Sequence, residues 1–221
     1  MFDKNNVEQI LKEFVWLNTK MGIWSFIVPI IFAVVVLLFL YRAYKKPSQK
    51  NTGILLSIYA IIYLFSGYII FIGKDFMGFQ EAIIGAIHAW SVSIFLILDV
   101  IFEWTEIKLP KRTHLKIISW SLIFAGIVLY PLLEIALGFT YPRIIFFGAE
   151  CPTTISLIGI LIGSIPKVNK LLFILISVSA IFIGFSVAIN GATFDYLLGL
   201  AGVLGILMLT IHFNDIFLTK K

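Results

Sequence analysis

A single cysteine, Cys151, occurs in the chain, so an intrachain disulfide is excluded and any sulfur chemistry must use a lone thiol or a second chain. Charge is scarce too. Only 13% of the 221 residues are Asp, Glu, Lys or Arg, 60% are hydrophobic, and the mean hydropathy is +1.03, more apolar than the surface of a soluble domain tolerates. No run alternates with the period of two that membrane barrel strands need, which leaves helices. The sequence also lacks a phosphate-binding loop, a paired-cysteine or H-x-x-x-H metal spacing, a nucleophile elbow and a recognisable Ser, His, Asp constellation. The chain therefore reads as non-enzymatic, and no cofactor is assigned. Its formal charge of +5 is explained by basic residues flanking membrane segments, and no nucleic-acid partner is expected. Residues 1–20 mix acids with lysines and carry no small-residue cleavage site, so they do not read as a cleaved signal.

What is present is a series of apolar runs near 20 residues, each long enough to cross a hydrocarbon layer of ~30 Å as a helix. Seven spans are expected, at about 22–43, 53–73, 81–104, 115–138, 145–165, 170–190 and 195–213. Pro47, Pro110, Pro142 and Pro166 fall between them, where a missing N–H costs little. The expected fold is an all-α integral membrane protein: a bundle of about seven transmembrane helices over residues 22–221, preceded by an N-terminal interfacial amphipathic helix over 1–21. In that helix Val7, Ile10, Leu11, Phe14 and Leu17 recur at helical spacing, and Asn6 and Gln9 are placed as a capping pair. It reads as an interfacial anchor, with a lid over an outer site as the alternative.

Twelve Lys and Arg flank one side of these spans and five flank the other. The positive-inside rule then puts the N-terminus outside and the C-terminus in the cytoplasm of a multi-pass plasma-membrane protein. A re-entrant fifth span would reverse the C-terminal assignment. The lipid bilayer is the one partner the composition requires; a homo-oligomer and a protein partner both stay open.

Ionisable groups inside lipid are costly and mark candidate sites. In the third span Glu81, Gly85, His88, Asp99 and Glu103 share one helical face. His88 and Asp99 are eleven residues apart, roughly 16 Å along the helix, too far to pair directly. His88 suits a proton relay, a metal ligand or a hydrogen bond to a neighbouring helix. In the fourth span Tyr130 and Glu134 share a face beside Pro131, and Glu134 either snorkels to the interface or faces the interior. At the head of the fifth, Glu150, Cys151, Pro152, Thr153 and Thr154 stand in a row, with the proline acceptable in a first turn. A thiol beside a carboxylate is what a soft-metal site uses, which makes Cys151, Glu150 and His88 the candidate metal ligands. Asp195 reads as an N-cap for the seventh span. An outer site built from His88, Tyr130, Glu134, Glu150, Cys151, Thr153 and Thr154, with an exit past Asp99, fits a small secondary transporter or channel for protons or metal cations. The alternative is a non-transporting sensor or assembly subunit in which the cysteine and proline are structural.

The order of spans, the N-terminal amphipathic helix and the "GAECPTT" of residues 148–154 resemble an uncharacterised family of prokaryotic polytopic membrane proteins, whose sharp motif here is Cys151, Pro152, Thr153 and Thr154. The resemblance implies a polytopic helical fold and singles out that tetrad, and it implies no activity. The Cys-Pro pair is also similar to the metal-path motif of heavy-metal pumping ATPases.

Overall fold

In the computed structural model residues 3–70 and 80–218 are described, and the side chains of 80–82 are not. Among the described residues nine α-helices follow one another: α1 (Lys4–Met21), α2 (Trp24–Lys45), α3 (Gln49–Ile69), α4 (Gln80–Phe102), α5 (Thr113–Phe124), α6 (Tyr130–Ala136), α7 (Glu150–Gly163), α8 (Lys170–Ile189) and α9 (Tyr196–Ile211). A π-helical segment, Ala125–Leu129, joins α5 to α6 into one bent rod. Pro131 has no N–H to return to the preceding turn, and the ladder widens there, with Tyr130 N–H reaching Ala125 O.

Six of these rods are long and apolar enough to cross a membrane: Trp24–Lys45, Gln49–Ile69, Ile83–Phe102, Thr113–Ala136, Lys170–Ile189 and Thr193–Ile211. Large apolar side chains such as Leu38, Ile61, Ile94 and Phe182 stand exposed on them, each more than half accessible. Such a surface belongs in lipid and not in water. The chain is a multi-pass helical protein of membrane type.

α7 is different. It has 14 residues, about 21 Å of helix at 1.5 Å per residue, and from Pro152 to Gly163 every residue is buried. A helix apolar all round belongs at the centre, and α3, α5, α8 and α9 pack around it. The expected fifth span therefore shortens. Residues 145–149 are not helical.

Non-helical backbone in an apolar setting needs partners for its N–H and C=O groups. Side chains supply them between α6 and α7. The Asn18 amide donates to Pro142 O at 2.6 Å and to Ile144 O at 2.8 Å, Glu134 Oε2 accepts from Ile145 N at 2.8 Å, and Thr153 Oγ1 accepts from Gly148 N at 3.1 Å. Glu134 is thus fully buried and does not snorkel.

α1 starts at Lys4 because Asp3 caps it, accepting from Asn6 N at 2.8 Å, three residues before the expected capping pair. Its apolar stripe turns to the protein: Val7, Leu11 and Phe14 are at most 9% exposed.

The far end of the bundle carries the basic loops. Glu106 N donates to Lys167 O at 3.0 Å, Ile107 N to Thr52 Oγ1 at 3.0 Å, and Arg112 reaches both His212 and Asp215 at 2.7 Å. The α4–α5 loop, the α7–α8 turn and the end of α9 therefore lie together, opposite α1.

Candidate functional site: a pocket beneath the first helix

α1 roofs a cavity. Val7, Ile10, Leu11 and Phe14 form its ceiling; Gly85 and His88 of α4, Glu150, Cys151 and Thr154 of α7, Ser179, Ile183 and Val187 of α8, and Phe194, Asp195 and Leu198 complete it. With α1 in place its volume is about 70 Å³, below the range of roughly 300–1,000 Å³ typical of ligand sites, so a solute larger than a few water molecules needs α1 to move aside.

Two polar clusters lie on its floor. In the first, His88 Nδ1 meets Glu150 Oε1, and His88 Nε2 lies 2.8 Å from Ser179 Oγ. The Ser179 hydroxyl proton is committed to Ile176 O, at 3.2 Å. Nε2–H must then donate to Ser179, which leaves a single proton between Nδ1 and Oε1. Whichever atom holds it, the pair is neutral as a whole, and that lowers the cost of burying two ionisable groups.

In the second cluster Tyr130 OH donates to Asp195 Oδ1 at 2.5 Å, and the Cys151 sulfur is in hydrogen-bond contact with both Asp195 and Tyr130. Asp195 stands at the N-cap position of α9 but makes no capping bond. Its carboxylate serves the cluster instead. The two clusters adjoin through the peptide bond between Glu150 and Cys151.

The rest of the tetrad holds α7 in place. Pro152 needs no N–H partner in the first turn, and its carbonyl lies against Gly126 of the π-helical segment. Thr153 holds Gly148, Thr154 Oγ1 pairs with Tyr63 OH at 2.6 Å, and Ser156 Oγ with Tyr59 OH at 2.9 Å. Each residue from Glu150 to Thr154 thus has a partner or contact of its own, that of Pro152 through its carbonyl.

Of the residues singled out in the sequence, His88, Glu150, Cys151 and Thr154 line the cavity and Tyr130 supports it. Glu134 and Thr153 are outside it, bound to the 137–149 loop. Asp99 is at the basic end, where Oδ1 accepts from Thr105 N at 2.8 Å and Oδ2 from Thr105 Oγ1 at 2.6 Å. It is not joined to His88. Of the candidate metal ligands, His88 and Glu150 pair with each other while Cys151 turns to the second cluster, and among the described residues no group of three His, Cys, Asp or Glu side chains could hold a metal ion. Glu81 falls outside the described side chains.

Sequence reasoning missed Ser179, which no spacing marks, and the role of Asp195, whose only signal was its place at the same end as Tyr130. It also missed a cluster at the basic end. There His114 Nε2 and His212 Nε2 are 3.3 Å apart, the rings stack at 5.5 Å, and Arg112 and Asp215 close on His212.

The fold and pocket define a class: a multi-pass helical protein of membrane type with a roofed, polar-floored cavity at one end. The model of the family of unknown function DUF6064 matches residues 7–219, and the chain belongs to that family. No curated protein and no solved structure was found to match it.

Proposed function

We propose that the chain is a small secondary transporter of the plasma membrane, without enzymatic activity, whose substrate site is the cavity under α1 and whose proton-handling element is the His88–Glu150 pair. The observation that carries this reading is the juxtaposition of that pair with Tyr130, Asp195 and Cys151 on the floor of one roofed cavity. A shared proton can be given up or taken on as the cavity fills, which is what coupling a solute to a proton gradient requires. The lack of convergence among His88, Glu150 and Cys151 weighs against a metal cargo.

In this reading α7 is the seventh crossing. Its first residue follows the α6–α7 loop at the α1 end, and the turn after it bonds to the basic loops. The 137–149 loop completes what 14 helical residues leave short. α1 then acts as a lid at the outer face, and the basic end faces the cytoplasm.

The test is a proteoliposome assay with an interior pH dye and an imposed pH gradient, run with a panel of organic cations, anions and neutral solutes. Solute-dependent proton movement that falls at least tenfold in His88→Gln is expected. No solute-dependent movement above protein-free vesicles for the whole panel would sink the transporter reading.

One observation favours a non-transporting sensor. Below the cavity the backbones pack closely, α7 on α5 and α9 on α8, since a methyl group on Gly159 would come within 2.8 Å of Ser119 O and one on Gly202 within 2.6 Å of Ser177 O. Ligand binding with no flux, together with a stoichiometric co-purifying protein, would decide for that reading.

A further inference from the structure

We infer that the occupant of the α1 cavity is an organic cation with an apolar body, such as a hydrophobic amine or quaternary ammonium; the inference rests on the reading of that cavity as the substrate site. Charge is the first ground. Among the described residues Asp195 and Glu150 are the acids facing the cavity, His88 is the one basic group, and no Lys or Arg lines it. Glu150 and His88 share a proton and cancel. Asp195 accepts from Tyr130 OH and from the Cys151 thiol, and neither donor neutralises a carboxylate. Arg143, the nearest cation along the chain, lies over the Phe139 ring at 5.2 Å instead. One buried negative charge is therefore left to be matched by a proton or by a ligand.

The walls are the second ground. Phe14 and Phe194 bring aromatic rings, and Ile183, Val187 and Leu198 bring aliphatic surface. Aromatic faces with a carboxylate recognise an alkylammonium group, whose charge is spread over an apolar shell. A bare metal ion needs several converging oxygen, nitrogen or sulfur ligands, a set not found among the described residues. An anionic amphiphile would meet Asp195 with no compensating cation.

The same carboxylate accepts either the cation or a proton, so acid weakens binding. The titratable groups facing Asp195 are Tyr130 and Glu134 from α6 and Cys151 from α7, with Glu150 and His88 across the cavity. Only His88 can add positive charge, and its protonation opposes the cation too. Both effects have one sign.

The experiment uses the full chain in nanodiscs and three probes of one shape: benzyltrimethylammonium, its neutral carbon analogue neopentylbenzene, and benzylsulfonate. Binding is measured at pH 7.5 and at pH 5, with partition into protein-free nanodiscs subtracted. The cation is expected to bind at least about tenfold tighter than the hydrocarbon, to lose that advantage in Asp195→Asn and to weaken at pH 5, while the sulfonate does not bind. Elution profile and unfolding temperature check that the variant is folded, and the wild-type comparison of the three probes stands without it. Equal binding of cation and hydrocarbon, preferred binding of the sulfonate, or an unchanged preference in folded Asp195→Asn overturns the inference while leaving the cavity a substrate site. Failure of all three probes to bind overturns both.

Discussion

Gly126 lies where the π-helical segment meets the first turn of α7, and a methyl group there would stand 2.3 Å from Pro152 O and 2.7 Å from Ser156 N. Both obstacles are backbone of a buried helix, so neither can yield cheaply. Gly126→Ala is expected to cost at least roughly 1–3 kcal/mol, the usual range for overpacking. Gly53 is the control, because its added methyl would meet only Val100 Cγ1 at 3.5 Å, an ordinary contact. In one detergent, Gly126→Ala should unfold several degrees below wild type and Gly53→Ala within about a degree; equal unfolding temperatures would refute the account of that crossing. Asp99 is a second such residue. Its two oxygens hold Thr105 N and Oγ1, so Asp99→Ala leaves buried donors without an acceptor, at about 1–3 kcal/mol for each group. A variant that unfolds like wild type but loses proton-coupled flux would mean that Asp99 acts on the path and not as a clasp. Single residues of both kinds are poorly legible in sequence. A glycine in an apolar run gives no sign of what it touches, and an acid in a span reads as functional whether it binds cargo or its own loop.

Among the elements, α1 and the segment after α9 each close one end of the bundle. α1 is tied to the 137–149 loop by Asn18, and Tyr141 OH donates back to Asn18 O at 2.9 Å. In Asn18→Ala two carbonyls lose their donor, the lid opens more often, and Cys151 beneath it becomes reachable. Modification of Cys151 by a membrane-impermeant maleimide should speed up about tenfold, which corresponds to roughly 1.4 kcal/mol of lost closure. An unchanged rate would mean that α1 does not gate the cavity. At the other end, the carboxyl of Asp215 is held below its ordinary value of 3.8, first by the His212 hydrogen bond and then by Arg112. Folding favours the ionised form, so its stabilisation is present above the ordinary carboxylate range and is lost as pH falls through the lowered value. Hydrogen exchange of amides 212–218, corrected for intrinsic rates, should stay steady from about pH 7 to 5 and rise below about 4. Asp215→Asn should show the faster exchange already at pH 7; wild-type protection in that variant would remove the clasp. The six long spans were legible to within a few residues, because a lipid-facing run must be apolar along its length. The start of the second span was read about one turn too late, since Ser48 caps α3 and the polar turn after it is helical. The loss of helix over 145–149 was not legible at all. It depends on Asn18, Glu134 and Thr153 reaching the loop from other elements.

For the whole molecule, the His88–Glu150 contact joins residues 62 apart in sequence, and the Tyr130–Asp195 contact residues 65 apart. Hydropathy places such groups at a depth in the membrane, but only packing decides which helices face each other. Both ends were therefore nameable in advance as polar, and their pairings were not. The topology prediction draws on both kinds of information. The chain's Lys and Arg are divided twelve to five between the two sides of the proposed spans, and the positive-inside rule predicts the richer side in the cytoplasm. The structure adds that the Arg112 loop and the end of α9 are bonded together, while α1 is bonded to the loop at the opposite end. An N-terminal helix at one end and a C-terminal segment at the other call for an odd number of crossings, which the proposed reading of α7 as a crossing beside the six long helices would supply. A C-terminal fusion to a reporter that is active only in an oxidising compartment should be silent, and a cytoplasm-folding fluorescent fusion should be bright. In a Cys151→Ala background, Asn5→Cys should be labelled in intact cells by an impermeant thiol reagent, and Lys108→Cys should be labelled only after the cells are opened. The reverse labelling pattern would invert the molecule in the membrane; labelling of both sites in intact cells would put the two ends on the same side and reduce α7 to a re-entrant helix.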